Sequence, residues 1–198
     1  MLSVNNSINV VRFIPSGSIS LTYENEKLLA GWVKWANQAT TVEQRKNILN
    51  KLIDCFEMNS ATLNLSHLEL STLPDTFPGF LKEIDISHNN LNMLPHTLPE
   101  SLEKLDVSYN GLKELPNILP NNLKTLDVSY NCLESLPDNL PIYLESLIVS
   151  HNFLKYLPST LTHCQNLQVL YANHNILMNV PILPGSLINI DFIKNVFF

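Results

Sequence analysis

The sequence has no apolar run near the ~20 residues that a membrane-spanning helix requires. It is also poor in positive charge: 12 lysines and arginines stand against 18 aspartates and glutamates, for a net charge of −6. That deficit argues against nucleic acid or an anionic membrane surface as partner, because both need a basic face. Cysteine is scarce: Cys55, Cys132 and Cys164 make an odd count at no metal-like spacing. A disulfide framework is therefore not expected, and a reducing compartment is. Cys132 is the one nearest a predicted surface and, with no electropositive neighbour, reads as an inert thiol. Residues 1–23 lack the clustered basic start and unbroken apolar stretch of a secretory signal, and Arg12 is their only charged side chain. They read as a flexible leader. What is present is 45% apolar residues, enough for one sizeable core.

That apolar content is periodic. "LEKLDVSYNGLKELPNILPNN" from Leu102 is followed by "LKTLDVSYNCLESLPDNLPIY" from Leu123, and related units begin at Ser60, Leu81, Leu144, Leu167 and Leu187. The spacings are 21, 21, 21, 21, 23 and 20 residues, with the last unit partial. The pattern L-x-x-L-D-V-S-x-N-x-L-x-x-L-P-x-x-L-P is a leucine-rich repeat. Within a unit, Leu105 and Val107 alternate with Lys104, Asp106 and Ser108, which predicts a short strand with an apolar inner side. Asn89, Asn110, Asn131, Asn152, Asn175 and Asn195 occupy the ninth position and are expected to bond the backbone of the turn; the first unit has Leu68 there. Prolines such as Pro116, Pro120, Pro137 and Pro141 exclude a regular helix behind the strands. The period also overrules Asn110-Gly111 as a hairpin signal.

Residues 24–58 differ. Leu28, Trp32 and Trp35 fall at helical spacing, and Ile48, Leu49, Leu52, Ile53 and Phe56 form a second helical stripe. Thr40 and Glu43 fit a capping box opening that second helix. The expected architecture is an α/β-type repeat solenoid: a leucine-rich-repeat horseshoe of parallel strands (residues 59–198) with an extended convex side, capped at its N-terminus by an α-helical hairpin (24–58) that closes the open core of the first repeat. The tryptophans are expected to pack on that repeat, with a partner site as the alternative.

The side chains between the core leucines should line a concave face. The fifth position reads Asn64, Asp85, Asp106, Asp127, Ile148, Tyr171, Asp191; the seventh Ser66, Ser87, Ser108, Ser129, Ser150, Asn173, Ile193; the eighth His67, His88, Tyr109, Tyr130, His151, His174, Lys194. All three columns are expected at the surface. The stacked aspartates repel one another, and Lys82, Lys104 and Lys124 are placed to relieve them. Two readings stay open: duplicated, lysine-solvated aspartates, or an acidic stripe for a basic partner segment. Ile148 and Tyr171, bordered by His151 and His174, are the expected hot spot, with Asp85, Asp106, Asp127, Tyr109 and Tyr130 as further contacts. No four-ligand metal set is expected, since His88 and His151 are separated by two Tyr-bearing repeats. No cofactor site or catalytic residue is expected on an open solvated sheet.

The string "GWVKWANQATTVEQRKNILNKLIDCFEMNSATLNLSHLELSTLPDTFP", followed by LPxxLP repeats, resembles the N-terminal part of the leucine-rich-repeat type III secretion effectors of the IpaH/SspH type, the novel E3 ubiquitin ligases, with YopM as a ligase-free relative. The resemblance implies delivery by a type III apparatus into the host cytoplasm, the leader as secretion signal, and repeats that bind a host protein for ubiquitination. It implies a ligase domain after the repeats with a Cys-x-Asp nucleophile motif, and none of Cys55, Cys132 or Cys164 has Asp two residues later. This chain is therefore expected to be a non-enzymatic recognition part, monomeric. Its ending at Phe197 and Phe198, inside a repeat, is expected of a fragment of a longer effector or of a natural truncation.

Overall fold

The computed structural model describes residues 23–38 and 42–197. Residues 1–22 of the expected leader, Thr40 of the expected capping box, and Phe198 lie outside the described residues; Tyr23, read as the leader's last residue, belongs to the first helix.

Two helices come first, α1 (Tyr23–Asn37) and α2 (Val42–Glu57). Glu24 and Glu26 in the first turn of α1 and Lys34 in its last turn complement the helix dipole. The buried stripe of α1 is Leu29, Trp32, Val33 and Ala36, with Trp35 beside it, while Leu28 is only partly buried. The sequence reading thus placed the start of the stripe one residue early. On α2, Ile48, Leu49, Leu52 and Ile53 are buried, with Phe56 partly so.

The hand-over from helix to repeats is a capping motif. Asn59 takes the left-handed conformation (φ 49°). Its N–H donates to Phe56 O at 3.1 Å, and the Ser60 N–H reaches back to Cys55 O at 2.9 Å. Asparagine serves here in the place glycine usually takes.

Seven three-residue strands follow: β1 (Thr62–Asn64), β2 (Glu83–Asp85), β3 (Lys104–Asp106), β4 (Thr125–Asp127), β5 (Ser146–Ile148), β6 (Val169–Tyr171) and β7 (Asn189–Asp191). They form one parallel sheet in sequence order. The register pairs each fifth position with the next, Asp85 with Asp106, Asp106 with Asp127, Asp127 with Ile148 and Ile148 with Tyr171. Core leucines such as Leu105, Leu126 and Leu147 are fully buried behind it.

The asparagines hold successive turns together. The Asn131 amide donates to Val107 O, Val128 O and Ser129 O at 3.0–3.2 Å, and its Oδ1 accepts the Leu112 N–H at 3.0 Å. Asn89, Asn110, Asn152 and Asn175 repeat that pattern. Behind the sheet the chain runs extended, with turns such as Leu102 N–H to Pro99 O at 3.0 Å. The longest unit absorbs its extra residues in a 3-10 turn, Ser159–His163.

Both tryptophans face the first repeat. Trp32 Nε1 donates to Thr76 O at 2.9 Å, and Trp35 Nε1 to Thr72 Oγ1 at 3.1 Å. Trp32 also meets Phe56 edge-on at 6.0 Å. Packing on the repeat is thus what occupies these side chains.

Candidate functional site

The concave face is built from the third and fifth positions of each unit, the two outward residues of each strand. At the fifth position the aspartates do a structural task that alternation did not reveal. Asp106 Oδ1 accepts both the Ser108 N–H at 2.9 Å and the Ser108 hydroxyl at 2.7 Å. Asp85 with Ser87 and Asp127 with Ser129 do the same. Asn64 makes the equivalent pair with Ser66.

Consequently the serine column is not part of the face. Ser87, Ser108, Ser129 and Ser150 are buried. The strand ends there: the next residue is left-handed in every unit (φ 53–60°) from His67 to Lys194, and the chain leaves the sheet. The lysines correct a second expectation. Lys82 and Lys124 pair with Glu103, at 3.0 and 2.7 Å, rather than with the aspartate column. Those two ammonium groups hold the Glu103 carboxyl down to about 2. Burial pushes the Asp127 carboxyl up; its Ser129 hydrogen bonds oppose this and the neighbouring Asp106 charge adds to it.

The eighth position forms a continuous stack of rings: His67, His88, Tyr109, Tyr130, His151 and His174, with centroids 4.0–4.2 Å apart and planes within 15°. A left-handed conformation costs such residues roughly 1–2 kcal/mol each. Stacking, at roughly 0.5–1.5 kcal/mol per pair, offsets much of that. The two tyrosines fill the gap between the histidine pairs, so what reads as an interruption in sequence is one ladder in space. Burial lowers the His151 pKa, and His174 and Lys194 lower it further. Among the described residues no group of His, Cys, Asp and Glu converges on a metal-sized point.

At β5 and β6 the fifth position changes. Ile148 and Tyr171 are register partners; Ile148 is half-buried and Tyr171 is 37% exposed. Neither offers the carboxylate of the turn bond; Asn173, two residues after Tyr171, donates its amide to Asp191 Oδ2, and its buried Oδ1 has no partner among the described residues. The structure therefore brings Ile148, Tyr171, His151 and His174 into adjacent units, and places Asp85, Asp106, Asp127, Tyr109 and Tyr130 on the units before them.

The tenth position escaped the sequence reading. It runs Asn90, Gly111, Cys132, Phe153, Ile176, Val196, and Phe153 (53%) and Ile176 (36%) are exposed in the same units as Ile148 and Tyr171. The signal was available: this column carries Phe153 and Ile176 in the units where the fifth carries Ile148 and Tyr171. A shallow depression of about 330 Å³ over β1–β3 is lined by Thr62, Asn64, Glu83, Asp85, Lys104 and Asp106. Cys55 and Cys164 are buried, and burial pushes both thiols up.

The family model Leucine Rich Repeat matches residues 80–100, 101–121 and 122–141. The E3 ubiquitin-protein ligase ipaH9.8 of Shigella flexneri is 37% identical over 78 residues, which are 39% of this chain and 14% of the ligase. Its relative ipaH3 is 38% identical over 78 residues, 13% of that protein. This chain therefore matches only a small part of the curated ligases. Among solved structures, a Shigella effector LRR domain superposes with a TM-score of 0.79 at 36% identity, covering 89% of this chain and 77% of that one. YopM from Yersinia enterocolitica gives a TM-score of 0.80 at 35% identity, over 87% of this chain and 38% of YopM. The shared repeats, helical hairpin and sequence identity make this chain a member of the leucine-rich-repeat family of bacterial effectors that includes the Shigella ipaH proteins and Yersinia YopM.

Proposed function

We propose that this chain is the recognition part of a type III secreted effector of the ubiquitin-ligase group, and that it binds a host protein in the host cytoplasm on its concave face. The observation that carries this reading is that Ile148, half-buried, and Tyr171, exposed, stand as register partners on the outward side of the sheet where the preceding units have the turn-bonding aspartate. Exposed aromatic and aliphatic anchors at the centre of a polar surface are the side chains that dominate protein–protein affinity. Residues 1–23 act as the secretion signal, 24–58 as the cap and 59–198 as the binding array, working as a monomer.

On this reading the chain itself does not transfer ubiquitin. A transfer cysteine needs a lowered pKa and access; Cys55 and Cys164 are buried with raised pKa values, and exposed Cys132 has Glu134, not Asp, two residues later. In the ligase architecture the recognised protein is presented to a domain elsewhere in the polypeptide. A ligase-free adaptor is the second reading, favoured by the likeness to YopM.

The test is capture from host-cell lysate with this chain as bait, read by mass spectrometry, beside Ile148→Asp/Tyr171→Ala. A protein retained by the first and lost by the second supports the reading; identical capture by both removes the concave face from it.

A further inference from the structure

The concave face is not uniform, and its two halves select different chemistry. Over β1–β4 the outward strand residues include Glu83, Asp85, Asp106 and Asp127, with Lys104 as the one cation among them. Lys82 and Lys124 are engaged by Glu103, so the four carboxylates of this row have Lys104 alone among the outward strand residues to offset them. In each Asp–Ser pair the serine takes Oδ1; Asp85 Oδ2 accepts the Asn64 amide at 3.2 Å, while at Asp106 and Asp127 no hydrogen bond to Oδ2 is present among the described residues. Over β5–β6 the outward residues are Ser146, Ile148, Val169 and Tyr171, none of them charged. Phe153 and Ile176 are exposed in the same two units.

We propose, on the reading that the concave face is the recognition surface, that it takes an extended polypeptide segment with cationic side chains over β1–β4 and an apolar anchor seated on Ile148 and Tyr171. The register sets the spacing. From between Asp85 and Asp106 to between Ile148 and Tyr171 is three strand intervals, or ~14 Å, which an extended chain crosses in about four residues. The depression over β1–β3, where Glu83, Asp85 and Asp106 outnumber Lys104, admits a side-chain head group. A metal ion is the poorer occupant, because the carboxylates sit on successive strands and do not converge among the described residues. Phosphate-bearing partners are repelled by the same row.

Variants that keep the fold are written into the sequence. Asn64 makes the turn bonds that Asp85, Asp106 and Asp127 make, so asparagine at the fifth position removes charge without removing the turn.

The probe is a fluorescein-labelled synthetic peptide, arginine-arginine-glycine-serine-glycine-leucine-phenylalanine, followed by fluorescence anisotropy with the full chain. Its controls carry glutamates for the arginines, or lack the spacer. The arginine peptide is expected to bind at least about tenfold more tightly than the glutamate peptide, and to weaken as salt rises from about 50 to about 300 mM. Asp85→Asn/Asp106→Asn/Asp127→Asn is expected to cost about tenfold and to flatten that salt dependence. Ile148→Asn/Tyr171→Asn is expected to cost at least as much and to leave the salt dependence in place. Preference for the glutamate peptide, indifference to the triple variant, or no binding at about 1 mM overturns the cationic segment. Equal binding of the spacer-free peptide overturns the four-residue interval. Host-protein capture that survives the triple variant but not Ile148→Asp/Tyr171→Ala would retain the concave face and reject the cationic segment alone.

Discussion

The units of β2–β4 and those of β5–β6 share their leucines and their ninth-position asparagine, and part company at the fifth position. In the first group an aspartate closes the turn onto a buried serine; in the second an isoleucine and a tyrosine face outward from the same place in the register. A position that the fold uses in one region is released in the next. The lesson is that repetition alone does not separate structural from functional residues. The Asp column looked like surface and is half scaffold, while the two residues that break it are surface that the scaffold does without.

The comparison can be strained at its constant part first. Asn131→Ala and Asn152→Ala lie on opposite sides of the divide and each removes a buried amide with three carbonyl partners and one N–H partner. Each should cost about 4 kcal/mol in urea unfolding, and about equally. A large difference between them would mean that the two regions are not built alike.

The reciprocal swap probes the fifth position itself. Asp127→Ile strips Ser129 of its acceptor and should cost about 1 kcal/mol, whereas Ile148→Asp offers Ser150 a new acceptor and should lie within about 0.5 kcal/mol of wild type. Chemical melts of the pair measure the asymmetry directly. Equal costs would show that the turn bond contributes little.

Two smaller effects follow from charge. Burial raises the folded-state pKa of Asp127, so its charge opposes folding at neutral pH. Asp127→Asn should therefore raise Tm slightly at pH 7, and the advantage should vanish as pH falls through the raised folded pKa. For His151 the folded pKa is lowered, so the unfolded chain takes up the proton more readily. Stability should fall as pH drops through about 6.5 and level off below the lowered folded pKa. His151→Tyr keeps a ring in the stack and should flatten that slope; an unchanged slope would place the acid sensitivity elsewhere.

Much of this was legible because each position is written six or seven times, and a column averages out the noise of any one residue. The strands, the asparagine ladder and the apolar pair Ile148–Tyr171 came from that redundancy. What was not legible depends on backbone dihedrals. Strict alternation sends Ser108 outward, but the strand ends at Asp106, the chain turns through left-handed Tyr109 (φ 53°), and Ser108 is buried. Lys82 and Lys124 sit at the second position, where their side chains meet Glu103 across the strands and not the aspartates. The ring ladder was hidden by chemistry, since histidine and tyrosine differ as letters and match as stacking planes. Phe153 and Ile176 lie at the tenth position, beyond the strand, where alternation makes no statement about exposure.

The most direct test of the central claim compares the two sides of the solenoid. With a captured host protein in hand, its affinity should be measured by calorimetry for wild type, for Ile148→Asp/Tyr171→Ala on the concave face, and for Ile118→Asp on the proline-lined back, where Ile118 is 75% exposed. A loss of about 100-fold or more in the concave variant with no change in the back variant is the predicted result. The reverse pattern would contradict the account, because recognition would then lie on the surface that the leucines turn away from the sheet.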